Sequence, residues 1–151
     1  MTHLEIVIKL LLSVALGSII GAERERHGRA AGLRTHALVC VGSCMITMIS
    51  IYMAQACVNS GQQCDPTRIA AGIVTGIGFL GAGTIIRERA SIVGLTTAAS
   101  LWTVSAIGMG IGCGFYEVAL YGALIIFFTL VALGLIMRRY LGKKPIKIEL
   151  E

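Results

Sequence analysis

The chain has 151 residues, 56% of them hydrophobic and 14% charged, with a mean hydropathy of +0.82. A water-soluble domain carries roughly 25% charged residues, so this chain lacks the polar surface to cover itself in water. Composition excludes a disordered tail, a collagen-like fibre and a secreted disulfide scaffold, and it implies an integral membrane protein whose +5 net charge must be read by position. Aromatic residues make up 6% of the chain and no basic stripe is interleaved with them. No nucleic-acid partner is expected; the first partner is the lipid bilayer.

A helix that crosses the hydrocarbon needs about 20 mainly apolar residues. Five stretches qualify, at residues 4–22, 37–58, 69–86, 95–113 and 115–137. The expected fold is all-α, a polytopic bundle of five transmembrane helices over residues 1–142, with a basic cytoplasmic tail at 143–151. In the first span Glu5 and Lys9 stand one turn apart and can pair. Arg24, Arg26, Arg29 and Arg34 follow that span, Arg87 and Arg89 follow the third, and Arg138, Arg139, Lys143, Lys144 and Lys147 follow the fifth. Eleven of the 13 basic residues thus fall on one side, with Lys9 and Arg68 on the other. The positive-inside rule puts the N-terminus outside and the C-terminus in the cytoplasm. Positive charges after the first span, rather than before it, mark a retained helix and not a cleaved signal.

Cys40 and Cys44 in the second span, and Cys113 at the end of the fourth, read as small packing residues. Cys57 and Cys64 bracket the outer loop, where an oxidising face permits a bridge without requiring one. No histidine joins a cysteine at a zinc spacing, so no metal site is expected.

Glycines stand four apart at Gly17 and Gly21, Gly72 and Gly76, Gly108 and Gly112, and Gly110 and Gly114. Such pairs let helix backbones approach in lipid, and Gly78, Gly81 and Gly83 extend the pattern in the third span. The run 76–81 matches the dinucleotide fingerprint in letters but lacks the preceding soluble strand and the acid about 20 residues on. The third span is instead expected to be tightly packed or locally unwound, and shielded from lipid over most of its surface. In the fourth span Thr96, Ser100 and Thr103 share one helical face, either bonding across helices or lining a path. Trp102, near mid-span, is expected inside the bundle.

The inner loops repeat a signature. Arg24-Glu25-Arg26 is followed by Gly32-Leu33-Arg34-Thr35, and Arg87-Glu88-Arg89 by Gly94-Leu95-Thr96-Thr97. This suggests two hairpins of like orientation, related by an axis along the membrane normal. Each half places charges at a helix end and starts a new helix shortly after, with Thr35, Thr96 and Thr97 as cap candidates. Glu23, Arg24, Arg26, Arg34, Arg87, Glu88, Thr96 and Thr97 are therefore the candidate functional cluster. It would either hold an anion such as a lipid phosphate or consist of interface anchors paired with one another. His3, His27 and His36 lie near span boundaries with no nucleophile at a recognisable spacing. The sequence contains no catalytic or cofactor-binding constellation, and no enzyme is expected.

Five blocks in order carry a family resemblance: Gly21-Ala22-Glu23-Arg24, Ala31-Gly32-Leu33-Arg34-Thr35, Arg68-Ile69-Ala70-Ala71, the run from Gly76 to Gly83, and the run from Gly94 to Trp102. Together they resemble the MgtC/SapB family of bacterial inner-membrane proteins. The resemblance implies a multi-pass inner-membrane protein linked to growth in low magnesium and to survival inside host phagocytes. For virulence-associated members it implies restraint of the F-type ATP synthase by direct contact in the membrane. Thr96 stands where those members carry Asn, and Thr103 where they carry Cys after the Trp. Those members also continue into a soluble cytoplasmic domain beyond the segment that here ends at Glu151. Two functions compete: a regulator that binds membrane partners or a second copy of itself, and a small transporter or channel along the Thr96, Ser100 and Thr103 face. A permeation path usually needs intramembrane ionisable groups, and their absence from the middles of spans two to five favours the regulator.

Overall fold

The computed structural model describes residues 1–61, 63–65, 67–88 and 91–140. Five helices, α1 (His3–Arg26), α2 (Leu33–Asn59), α3 (Thr67–Gly83), α4 (Leu95–Cys113) and α5 (Tyr116–Tyr140), form a bundle with one short hairpin, β1 (Ile86–Glu88) and β2 (Ser91–Val93). Among the described residues, α1, α2, α4 and α5 are long and apolar enough to cross a membrane. The 17 residues of α3 rise roughly 25 Å at about 1.5 Å each, the short end of what a bilayer core requires. The expected basic tail at 143–151 and Arg89 lie outside the described residues.

The helix ends differ from the sequence expectation for local reasons. The Thr2 hydroxyl accepts from the Glu5 amide at 3.3 Å and starts α1. At its other end the Glu-Arg-Glu-Arg run consists of good helix formers and stays helical to Arg26. The N-cap of α2 is Gly32, which has no side chain to offer. A carboxylate oxygen of Glu25 reaches back from α1 and accepts from the Leu33 amide at 2.8 Å. α4 starts after Gly94, whose φ of +95° suits only glycine; a Cβ there would collide with the Thr84 carbonyl. Thr35, Thr96 and Thr97 are thus not caps but residues of the first helical turns.

The third span was expected to run helically to residue 86, but α3 ends at Gly83. The β-branched residues that follow fit a pleated ribbon better than a helix. β1 pairs antiparallel with β2, placing Ile86 opposite Val93 and Arg87 opposite Ile92. Arg87 and Glu88 therefore sit in a strand, whereas Arg24-Glu25-Arg26 ends a helix, so the expected repeat does not extend to its connections. Across the outer turn, Cys57 and Cys64 are joined by a disulfide. Just beyond it Asp65 accepts from the Thr67 amide and hydroxyl at 2.8 and 2.6 Å, holding the start of α3.

α2 packs against both α1 and α4, and α5 lies on α4 and α1. The core these helices enclose includes Ile20, Cys40, Cys44, Val104, Ile107 and Ile111. Glycines on α1 and α4 permit the close approach to α2. A Cβ at Gly17 would lie 2.8 Å from Cys40 Cβ, one at Gly21 2.6 Å from Leu33 Cα, and one at Gly112 2.8 Å from the Cys44 carbonyl. At Gly108 it would strike the Cys40 carbonyl itself.

The glycines of α3 do not behave this way. Gly72, Gly76, Gly78 and Gly83 have nothing within 4 Å of an added Cβ, and Gly81 meets only Ala98 at an ordinary 3.5 Å. α3 is a continuous helix at the edge of the bundle, docked through the stripe Ile73, Ile77 and Gly81, and it is not unwound or shielded as expected. Trp102 is also corrected, since it is half exposed on the outer side of α4. Cys40 and Cys44 are buried, while Cys113 is exposed.

Candidate functional site

Two polar assemblies are buried within the bundle, one at each end. The first gathers where α1 ends and α2 and α4 begin. Glu23 and Arg24 are 6% and 4% exposed, and they form an ion pair through Arg24 Nε and Glu23 Oε2. The other carboxylate oxygen, Oε1, lies 3.0 Å from His27 Nδ1, which also faces the Glu23 carbonyl at 2.9 Å. A buried charge with one partner missing is costly; here the carboxylate is met on both oxygens.

One turn deeper, His36 is fully buried, its Cβ against the site of the absent Gly21 side chain. His36 Nδ1 lies 2.9 Å from the Gly32 carbonyl and Nε2 lies 3.0 Å from Ser100 Oγ on α4. A carbonyl only accepts, so Nδ1 carries a proton, and in the neutral ring Nε2 accepts from the Ser100 hydroxyl. That hydroxyl is also 2.8 Å from the Thr97 carbonyl, so one proton has two acceptors in reach. The result is a hydrogen-bonded tie between α2 and α4 and an ion-paired group at the end of α1, both built of groups that would each be expensive alone in lipid.

The second assembly centres on Lys9, which is 4% exposed. Its ammonium pairs with Glu5 at 3.3 Å and donates to the Gly112 carbonyl at 3.2 Å. The cation thereby sits on the orphan carbonyls that end α4, the negative end of that helix dipole. Nearby, Cys44 Sγ is 3.9 Å from the Lys9 carbonyl.

The candidate cluster read from the sequence is divided by the fold. Glu23, Arg24 and Thr97 are buried together at the α1, α2 and α4 junction. Arg26, Arg34, Arg87 and Thr96 are exposed at that same end, and among the described residues no ion pair joins them to one another. Glu88 lies in β1. Of the polar face on α4, Ser100 is buried and Thr103 donates to the Ser100 carbonyl at 3.0 Å. Sequence reading found the Glu5 and Lys9 pair but not the Gly112 carbonyl that Lys9 also meets. It placed His36 near a span boundary but gave it no partner, and Ser100 is the partner it has. Among the described residues no group of three or more His, Cys, Asp or Glu is placed to hold a metal.

The comparisons agree on relationship. The chain is 42% identical over 140 residues to the "Putative magnesium transporter YhiD" of Escherichia coli K12, covering 92% of this chain and 65% of that protein. It is 35% identical over 152 residues to Protein SapB of Bacillus subtilis, covering 97% and 66%. With Protein MgtC of Salmonella paratyphi A it shares 40% identity over 145 residues, covering 96% and 59%. The chain thus spans about three fifths to two thirds of the length of these relatives. No solved structure matches it. Four long apolar helices and this kinship make it a multi-pass membrane protein. With the profile of the MgtC family matching residues 10–139, the chain belongs to the MgtC family.

Proposed function

We propose that this protein is a regulator in the bacterial inner membrane, linked to magnesium limitation and to intracellular survival, that acts by contact with other membrane proteins. The observation that carries this reading is the internal closure of its polar groups. Glu23, Arg24, His27, His36 and Ser100 are spent on one another and on backbone carbonyls, as are Glu5 and Lys9. Residues so engaged favour a fixed scaffold over a hydrated path. What the scaffold presents to the membrane is apolar helix, with Phe79, Phe115 and Phe128 well exposed. The names of relatives that mention magnesium support the physiological link. The resemblance supplies the F-type ATP synthase as the candidate partner, and the positive-inside rule supplies the orientation, with the N-terminus outside and the C-terminus in the cytoplasm.

Photo-crosslinking tests this. Benzoylphenylalanine in place of Phe79, Phe115 or Phe128, in cells starved of magnesium, should yield adducts to a membrane subunit of the ATP synthase. Adducts only to a second copy of the chain would replace that partner with a homodimer. No protein adduct from any of the three positions would overturn the contact reading.

A further inference from the structure

We propose that the end of the bundle bearing Arg26, Arg34 and Arg87, together with the β1–β2 hairpin, is a docking surface for the headgroups of anionic phospholipids. At this end Arg24, Arg26, Arg29, Arg34 and Arg87 outnumber Glu23, Glu25 and Glu88. Glu23 is taken by Arg24 and His27, and Glu25 by the Leu33 amide at the start of α2. The guanidiniums of Arg26, Arg29, Arg34 and Arg87 are exposed there, each able to grip a phosphate through two parallel hydrogen bonds.

The hairpin places this surface at the level of the membrane. Among the described residues, both faces of the two-stranded ribbon carry exposed side chains. Ile86 and Val93, paired across the strands, are 53% and 42% exposed, and Ile92, opposite Arg87, is 59% exposed. A hairpin standing in water would not show three β-branched apolar side chains beside one arginine. At the interface, Ile86 and Val93 on one face enter the acyl boundary, while Ile92 shares the other face with Arg87 at headgroup depth. Arg87 is then held beside the phosphates by its own strand, with Arg26 and Arg34 on the neighbouring helix ends. The complementary occupant is a negatively charged lipid surface. The inference rests on the membrane embedding of the bundle and not on the regulatory reading above.

The test uses the full chain in lipid nanodiscs, with Ile92→Trp in a Trp102→Phe background so that one indole reports. Brominated phosphatidylglycerol and brominated phosphatidylcholine are compared as quenchers at equal mole fraction. Quenching should be several-fold stronger with the anionic lipid, and the preference should weaken as ionic strength rises. Arg87→Gln should lower it by about fivefold, the gain expected of one basic residue near a charged leaflet. If Ile92→Trp fails to accumulate, Val93→Trp serves in its place. Equal quenching by both lipids, or by neither, would overturn the proposal. So would loss of the preference on adding inorganic phosphate at constant ionic strength, because that would identify a site for free anions.

Discussion

A Cβ placed on Gly108 would strike the Cys40 carbonyl, whereas one placed on Gly76 would meet nothing within 4 Å. Both glycines belong to pairs four residues apart, so spacing gives them the same signal; what separates them is whether a neighbouring backbone lies opposite. Gly108→Ala forces two helix backbones apart and should cost about 1–3 kcal/mol, the range for overpacking a filled core. Gly76→Ala should leave stability unchanged or raise it by up to about 1 kcal/mol through helix propensity. Melting of the two variants in detergent checks both, and equal loss would contradict the packing described. Residue-level chemistry was legible where it depended on type alone, as with the Glu5 and Lys9 pair and the buried Cys40 and Cys44. It was not legible for His36, because the serine that meets its ring lies 64 residues away.

At the scale of elements, apolar windows located the five helices but not where they stop. A hydropathy window over 69–86 counts Ile85 and Ile86 as helix-compatible, yet those residues turn into a ribbon after Gly83. Gly94 is the joint between that ribbon and α4, with φ at +95° and the Thr84 carbonyl where a side chain would begin. Gly94→Ala must adopt a left-handed backbone, at about 1–2 kcal/mol, and also displace the Thr84 carbonyl that its Cβ would strike. It should lower the melting temperature and open residues 84–94 to limited proteolysis while α1 and α2 stay protected. Wild-type cleavage of that segment would show that the joint tolerates a side chain. The edge position of α3 has a similar origin. Its glycines promised close contact, but only the stripe through Ile73, Ile77 and Gly81 faces the bundle.

For the whole molecule, composition and charge placement sufficed to read a multi-pass all-α membrane protein, because the lipid solvent forces backbone hydrogen bonds inside each span. The candidate cluster was only half legible. Charge position along the chain gathers residues to one end of the bundle, but burial splits them into Glu23, Arg24 and Thr97 inside, where the tie of His36 to Ser100 also lies, and an exterior rim of Arg26, Arg34, Arg87 and Thr96. The interior tie is central to the function proposed, since polar groups that satisfy one another leave no chain of sites for an ion. Magnesium entry into liposomes that contain the pure protein and an enclosed fluorescent indicator tests this most directly. The account predicts entry no faster than in protein-free liposomes at any magnesium gradient. Saturable entry that disappears in the Ser100→Ala and Thr103→Ala variants, with their fold intact, would contradict it and make the α4 face a path.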